Sequence, residues 1–142
     1  MKTPSFNNRS LLALTLIAAI AARGSAMADP MRPELPTRTP GLWRITTISA
    51  EVGMQTNEVC ITDSDSIIGP QRADCAKPSI THTGDQIIVT LECGDADRRS
   101  VESLLFTGDF KSWYRAQSKM TSGGLRAGFT IDAKFIRPDC QD

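Results

Sequence analysis

One histidine, one tyrosine and two tryptophans are all that the 142-residue chain holds of those three residue types, and aromatic residues make up only 6% of it. A single histidine cannot supply the paired imidazoles of most catalytic zinc sites. The four cysteines, Cys60, Cys75, Cys93 and Cys140, include no Cys-x-x-Cys pair, which argues against a structural zinc site as well. Neither charge is in excess, with 16 basic and 16 acidic residues, so the basic footprint of a nucleic-acid binder is missing. No Gly-x-Ser-x-Gly elbow and no phosphate-binding glycine loop occur. The longest apolar run, residues 11–22, falls short of the roughly 20 residues that a membrane-spanning helix needs.

What is present begins with a leader pattern. Lys2 and Arg9 precede that apolar run, and Ala26, Met27 and Ala28 fit a small-x-small cleavage site, so residues 1–28 read as a signal peptide. No cysteine stands near the cleavage site to carry a lipid anchor. Export removes three basic residues and no acid, which leaves 13 bases against 16 acids. Residues 29–40 carry four prolines and no apolar period, and read as an extended, polyproline-like arm. Residues 41–142 are expected to form one domain.

That domain reads as all-β. Residues 41–50 and 54–62 are β-branched runs joined at Gly53, and residues 63–70 read as one helical turn capped by Asp63 or Ser64. Residues 79–82 and 86–93 flank a turn at Gly84, and three further runs (99–107, 110–120 and 125–136) are punctuated by glycine. The last of these places Leu125, Ala127, Phe129, Ile131, Ala133 and Phe135 on one face. The pattern predicts an antiparallel meander of about seven strands, forming a curled sheet, open barrel or sandwich.

An even cysteine count in a small exported domain implies disulfides. Cys75 and Cys93 are equidistant from Gly84, so a bridge across the hairpin is favoured, which leaves Cys60 for Cys140. The hairpin register is open. A loop of residues 83–85 sets the two cysteines opposite each other, whereas a loop of residues 83 and 84 sets Ile80 against Ile87.

Candidate chemistry is sparse. His82 lies beside the turn with Ser79 and Thr81 nearby, but strand alternation alone does not make a triad of them. Asp63 and Asp65, like Asp95 and Asp97, start as a calcium loop would and do not continue as one. No catalytic residue, metal ligand or cofactor site is therefore assigned. Trp113 shares a strand face with Lys111, Arg115, Gln117 and Lys119 and is read as outward-facing. Trp113, Arg115 and Lys111 are the candidate contacts for an acidic or amphipathic partner.

The motifs P-G-L-W-x-I-T-T (residues 40–47), E-x-C-I-T-x-x-D (58–65) and G-x-x-I-x-V-x-x-x-C (84–93), with Cys75 and the closing Asp139 and Cys140, occur in a characteristic order. In that order the chain resembles the exported Gram-negative proteins known as domain of unknown function 3617. The family's usual Gly-x-Cys ending is here Pro138, Asp139, Cys140. Lys111, Trp113, Arg115 and Lys119 replace its Met/Thr-rich later strands. The resemblance implies a periplasmic β-domain and names no activity. A non-catalytic module that binds a small apolar ligand or a cell-envelope partner is the expected function, with no membrane span once the leader is removed. A secreted hydrolase inhibitor acting through residues 63–74 is the alternative.

Overall fold

The computed structural model describes residues 34–141; the expected leader (1–28) and the first part of the arm (29–33) lie outside the described residues. Eight strands follow one another: β1 (Gly41–Ser49), β2 (Gly53–Ile61), β3 (Ser79–Thr83), β4 (Gln86–Cys93), β5 (Ser100–Gly108), β6 (Trp113–Ser122), β7 (Leu125–Ala127) and β8 (Phe129–Arg137). They form one antiparallel sheet in the order β2-β1-β8-β6-β5-β4-β3, with β7 paired to β6. The sheet does not close, so β2 and β3 are its edges.

The expected final strand is divided in two, and the reason is local. β7 and β8 keep one register with β6 (Met120 opposite Ala127, Gln117 opposite Thr130), and the interruption falls on Gly128. A side chain there would collide with the Ser118 carbonyl.

Alternation gives the sheet one apolar face. Trp43, Ile87, Val89, Leu91, Leu104, Phe106, Tyr114, Ala116 and Ala133 are buried together, with Ile45, Ile131 and Phe135 packed against them. Trp43 of β1 meets Tyr114 of β6 at 5.6 Å between ring centroids, although β8 lies between their strands, because the sheet curls around this face. Pro40, Gly41, Leu42 and Trp43 form a junction. Gly41 (φ +139°) passes under the Arg137 carbonyl, and a Cβ there would lie 2.9 Å from Pro138 Cα. Trp43 is fully buried, stands edge-on to Phe135, and donates from Nε1 to the Thr39 carbonyl at 2.8 Å.

Two local expectations are corrected. The hairpin loop is Gly84 and Asp85, which is neither of the two loops considered, with Thr83 opposite Gln86 and Ile80 opposite Val89. Gly84 supplies the positive φ (61°) at the first loop position, as a II′ turn requires. Cys75 still faces Cys93, as an isolated bridge beyond Pro78, because the loop before β3 absorbs the one-residue offset. Residues 63–70 form successive turns rather than a helical turn, closed by Asp65 N–H to the Thr62 carbonyl and Gly69 N–H to the Ser66 carbonyl. The Asp65 carboxylate accepts from Thr62 N–H (2.7 Å) and its hydroxyl (2.8 Å), and so ties the chain backwards instead of capping a helix.

The cysteines pair as expected, Cys60 with Cys140 and Cys75 with Cys93. Two disulfides fit an oxidising, extracytoplasmic environment.

Candidate binding face

The outward side of β2, β1, β8 and β6 carries the side chains that the core does not use. Cross-strand register sets them in rows. Glu58, Arg44, Lys134 and Trp113 form one row; Thr56, Thr46, Asp132 and Arg115 form the next. Arg44 Nη2 reaches Glu58 Oε1 at 2.8 Å, and Arg115 forks onto Asp132 at 2.6 and 3.0 Å. The hydrogen bonds and charge of Asp132 raise the Arg115 pKa above the usual guanidinium value, so this cation is always present. Lys134 makes no ion pair among the described residues. Beside it Trp113 is 47% exposed, and Met54, 72% exposed, adds apolar surface from the edge strand. Together they line a shallow cleft of about 500 Å³.

Trp113 owes its position to the loop before β6. The Asp109 carboxylate accepts hydrogen bonds from the backbone N–H groups of Lys111 (2.8 Å), Ser112 (2.7 Å) and Trp113 (3.0 Å), and from the Ser112 hydroxyl (2.6 Å). Phe110 adopts a left-handed φ of 58° and turns inward to stack on Tyr114. The Ser112 hydroxyl and the three N–H groups hold the Asp109 carboxyl far below its ordinary value of 3.8. A depressed carboxyl contributes stability above its unfolded pKa and loses it as pH falls through the folded one. Asp109→Asn is therefore expected to be less stable than the parent chain at pH 7. The difference in urea midpoint should shrink as pH drops below about 4; equal midpoints at pH 7 would refute this role.

Of the three candidate contacts, the structure brings Trp113 and Arg115 onto one face and leaves Lys111 apart. Lys111 borders another cleft, formed with Arg38, Thr62, Asp63 and Asp65. Missing from the sequence reading are Arg44 and Met54, and the position of Lys134 beside Trp113. Strand alternation places Lys134 on an outward face, but only the pairing of β8 with β6 shows what stands next to it.

The remaining candidates have structural surroundings. His82 is exposed on edge strand β3, with Nε2 3.4 Å from the Glu34 carbonyl. Asp65 ties Thr62, and Asp95 accepts from the N–H groups of Asp97 and Arg98. The loop of residues 63–74 is fastened inward. Ile67 and Ile68 pack against the core, and Arg38 Nη2 donates to the carbonyls of Asp65 and Ser66 (3.2 and 3.3 Å). The other arm of the Arg38 guanidinium lies 3.4 Å from the Tyr114 hydroxyl, so residues 38–40 are part of the packed structure rather than a free spacer. Among the described residues no three His, Cys, Asp or Glu side chains group as a metal site would, and no helix is long and apolar enough to cross a membrane.

The model of a family described as "Protein of unknown function (DUF3617)" matches residues 38–140. No curated protein and no solved structure matches the chain.

Proposed function

Because the chain belongs to the DUF3617 family of proteins of unknown function, we propose a role read from its own surface: a non-catalytic, periplasmic binding domain. Its outward β1–β8–β6 face engages an envelope partner that presents acidic and apolar groups together. The observation that carries this reading is Trp113, half exposed and directly across the strand from Lys134. Arg44 and Arg115 are already neutralised by Glu58 and Asp132, which among the described residues leaves the Lys134 ammonium without an ion pair beside the indole. An aromatic plane next to a cation suits a mixed acidic and apolar partner. The middle of the opposite face is filled by Trp43, Phe106 and Val89, which favours recognition from outside. His82 has a backbone carbonyl rather than an activated nucleophile for company, which supports a role without catalysis.

The test uses protein recovered from the periplasm, whose intact mass is expected to correspond to a chain starting at Asp29. A photoreactive phenylalanine analogue at position 113 should give one discrete adduct there, lost when Lys134→Glu reverses the charge. Retention of residues 1–28 would overturn export. An absent adduct, or one indifferent to Lys134→Glu, would overturn the face.

A further inference from the structure

One acidic side chain sits on the wrong face of the sheet. The inward positions of β5 read Glu102, Leu104, Phe106, and the last two are buried in the core. Glu102 follows the same alternation, and its cross-strand neighbours are Leu91 on β4 and Met120 on β6, both apolar. A carboxylate turned towards an apolar surface is costly unless something offsets its charge. The protein supplies one neutral partner: the Ser118 hydroxyl, itself only 5% exposed, donates to Glu102 Oε1 at 2.5 Å. No ion pair to Glu102 forms among the described residues. The nearby guanidinium of Arg72 is committed to Asp74, with contacts of 3.0 Å to each carboxylate oxygen.

The carboxylate opens into a cleft of about 270 Å³ at the end of the apolar face, beyond the region that Trp43 and Phe106 fill. Its walls are partly apolar, from Ile68, Pro70, Leu91, Met120 and the Cys75–Cys93 disulfide, and partly polar, from Gln71, Ser100 and the Asp74-paired Arg72. Thioether and disulfide sulfurs are polarisable and pack well against hydrocarbon or aromatic groups. The recess thus combines apolar surface, one carboxylate with no ion pair among the described residues, and a buried hydroxyl that aims it. Places where the polar and apolar pattern of a strand is broken without a structural gain are where function is expected.

We propose that this cleft binds a small amphipathic cation, a primary ammonium group on an apolar body. Glu102 is the counter-ion and Ser118 the positioning residue that holds its carboxylate. Charge complementarity selects the ammonium head, and the apolar walls select the body. The site is on the face opposite Trp113 and does not depend on the function proposed for that face.

Binding of 2-phenylethylammonium to the oxidised chain 29–142, followed by amide chemical shifts, tests this, with neutral 2-phenylethanol as the control. The ammonium compound should saturate shifts at Leu91, Glu102 and Met120, and bind at least about tenfold tighter than the alcohol, as a charge-assisted hydrogen bond warrants. Glu102→Gln, which can still accept from Ser118, should weaken the ammonium by a similar factor and leave the alcohol unchanged. Ser118→Ala should weaken it less, and Trp113→Ala not at all. Equal binding of cation and alcohol to the parent chain overturns the proposal without recourse to any variant. So does undiminished ammonium binding by Glu102→Gln, or the absence of saturable shifts.

Discussion

Trp43→Ala is expected to remove about 3–5 kcal/mol of stability, the cost of truncating a large buried aromatic. Against the roughly 5–15 kcal/mol typical of a whole domain, that is a large share. The side chain is fully buried, meets Tyr114 and Phe135 through its ring, and holds the arm through Thr39. Trp113→Ala, by contrast, truncates an exposed ring and should stay within about 0.5 kcal/mol of the parent. Urea denaturation of the two variants side by side decides the matter. Similar midpoints would mean that Trp43 is not the anchor described here.

Replacing Cys60 and Cys140 with serine is expected to cost about 2–5 kcal/mol, and more than the same change at Cys75 and Cys93. The reasoning concerns the unfolded chain. The first bridge closes a separation of 80 residues and the second only 18. Constraining the longer loop removes more conformational freedom from the denatured ensemble. The native sheet already holds β1 against β8, but this does not diminish the effect, because the freedom removed belongs to the unfolded state. Cytosolic expression without the leader should likewise yield poorly folded chains. Peptide mapping under non-reducing conditions, with denaturation of both double variants, checks pairing and ranking together. A Cys60–Cys75 peptide would contradict the first, and a larger loss at Cys75 and Cys93 the second.

Much of this architecture was legible because strands declare themselves locally. The alternation from Leu125 to Phe135, the turn at Gly84 and the symmetric cysteines around it all concern residues close in sequence, where the side-chain period is decisive. Legibility stopped at contacts between distant segments. Nothing in residues 41–49 states that their neighbour is residues 129–137, so the row joining Arg44, Lys134 and Trp113 could not be composed from the sequence. The turn at residues 63–70 misled for a different reason. Asp and Ser there fit a helix cap, but the same carboxylate can equally bond the backbone behind it, and Thr62 offers two donors. Lys111 was grouped with Trp113 by strand alternation, yet β6 starts only at Trp113, after the Asp109 turn has redirected the chain.

The order β2-β1-β8 has a consequence for how the protein is made. A chain that emerges N-terminus first delivers β1 with only one of its two sheet neighbours. The second, β8, arrives as the last strand of all, so the apolar side of β1, Trp43 included, must wait almost the length of the domain for its cover. Cys60 waits with it. During that interval Cys75 and Cys93 become available, and oxidation strictly in order of emergence would join Cys60 to Cys75. The nested native connectivity is reached only if the β3–β4 hairpin captures Cys93 for Cys75 first, or if a thiol exchange corrects the early pair. The small local hairpin thereby guards the cysteine that the most distant bridge requires.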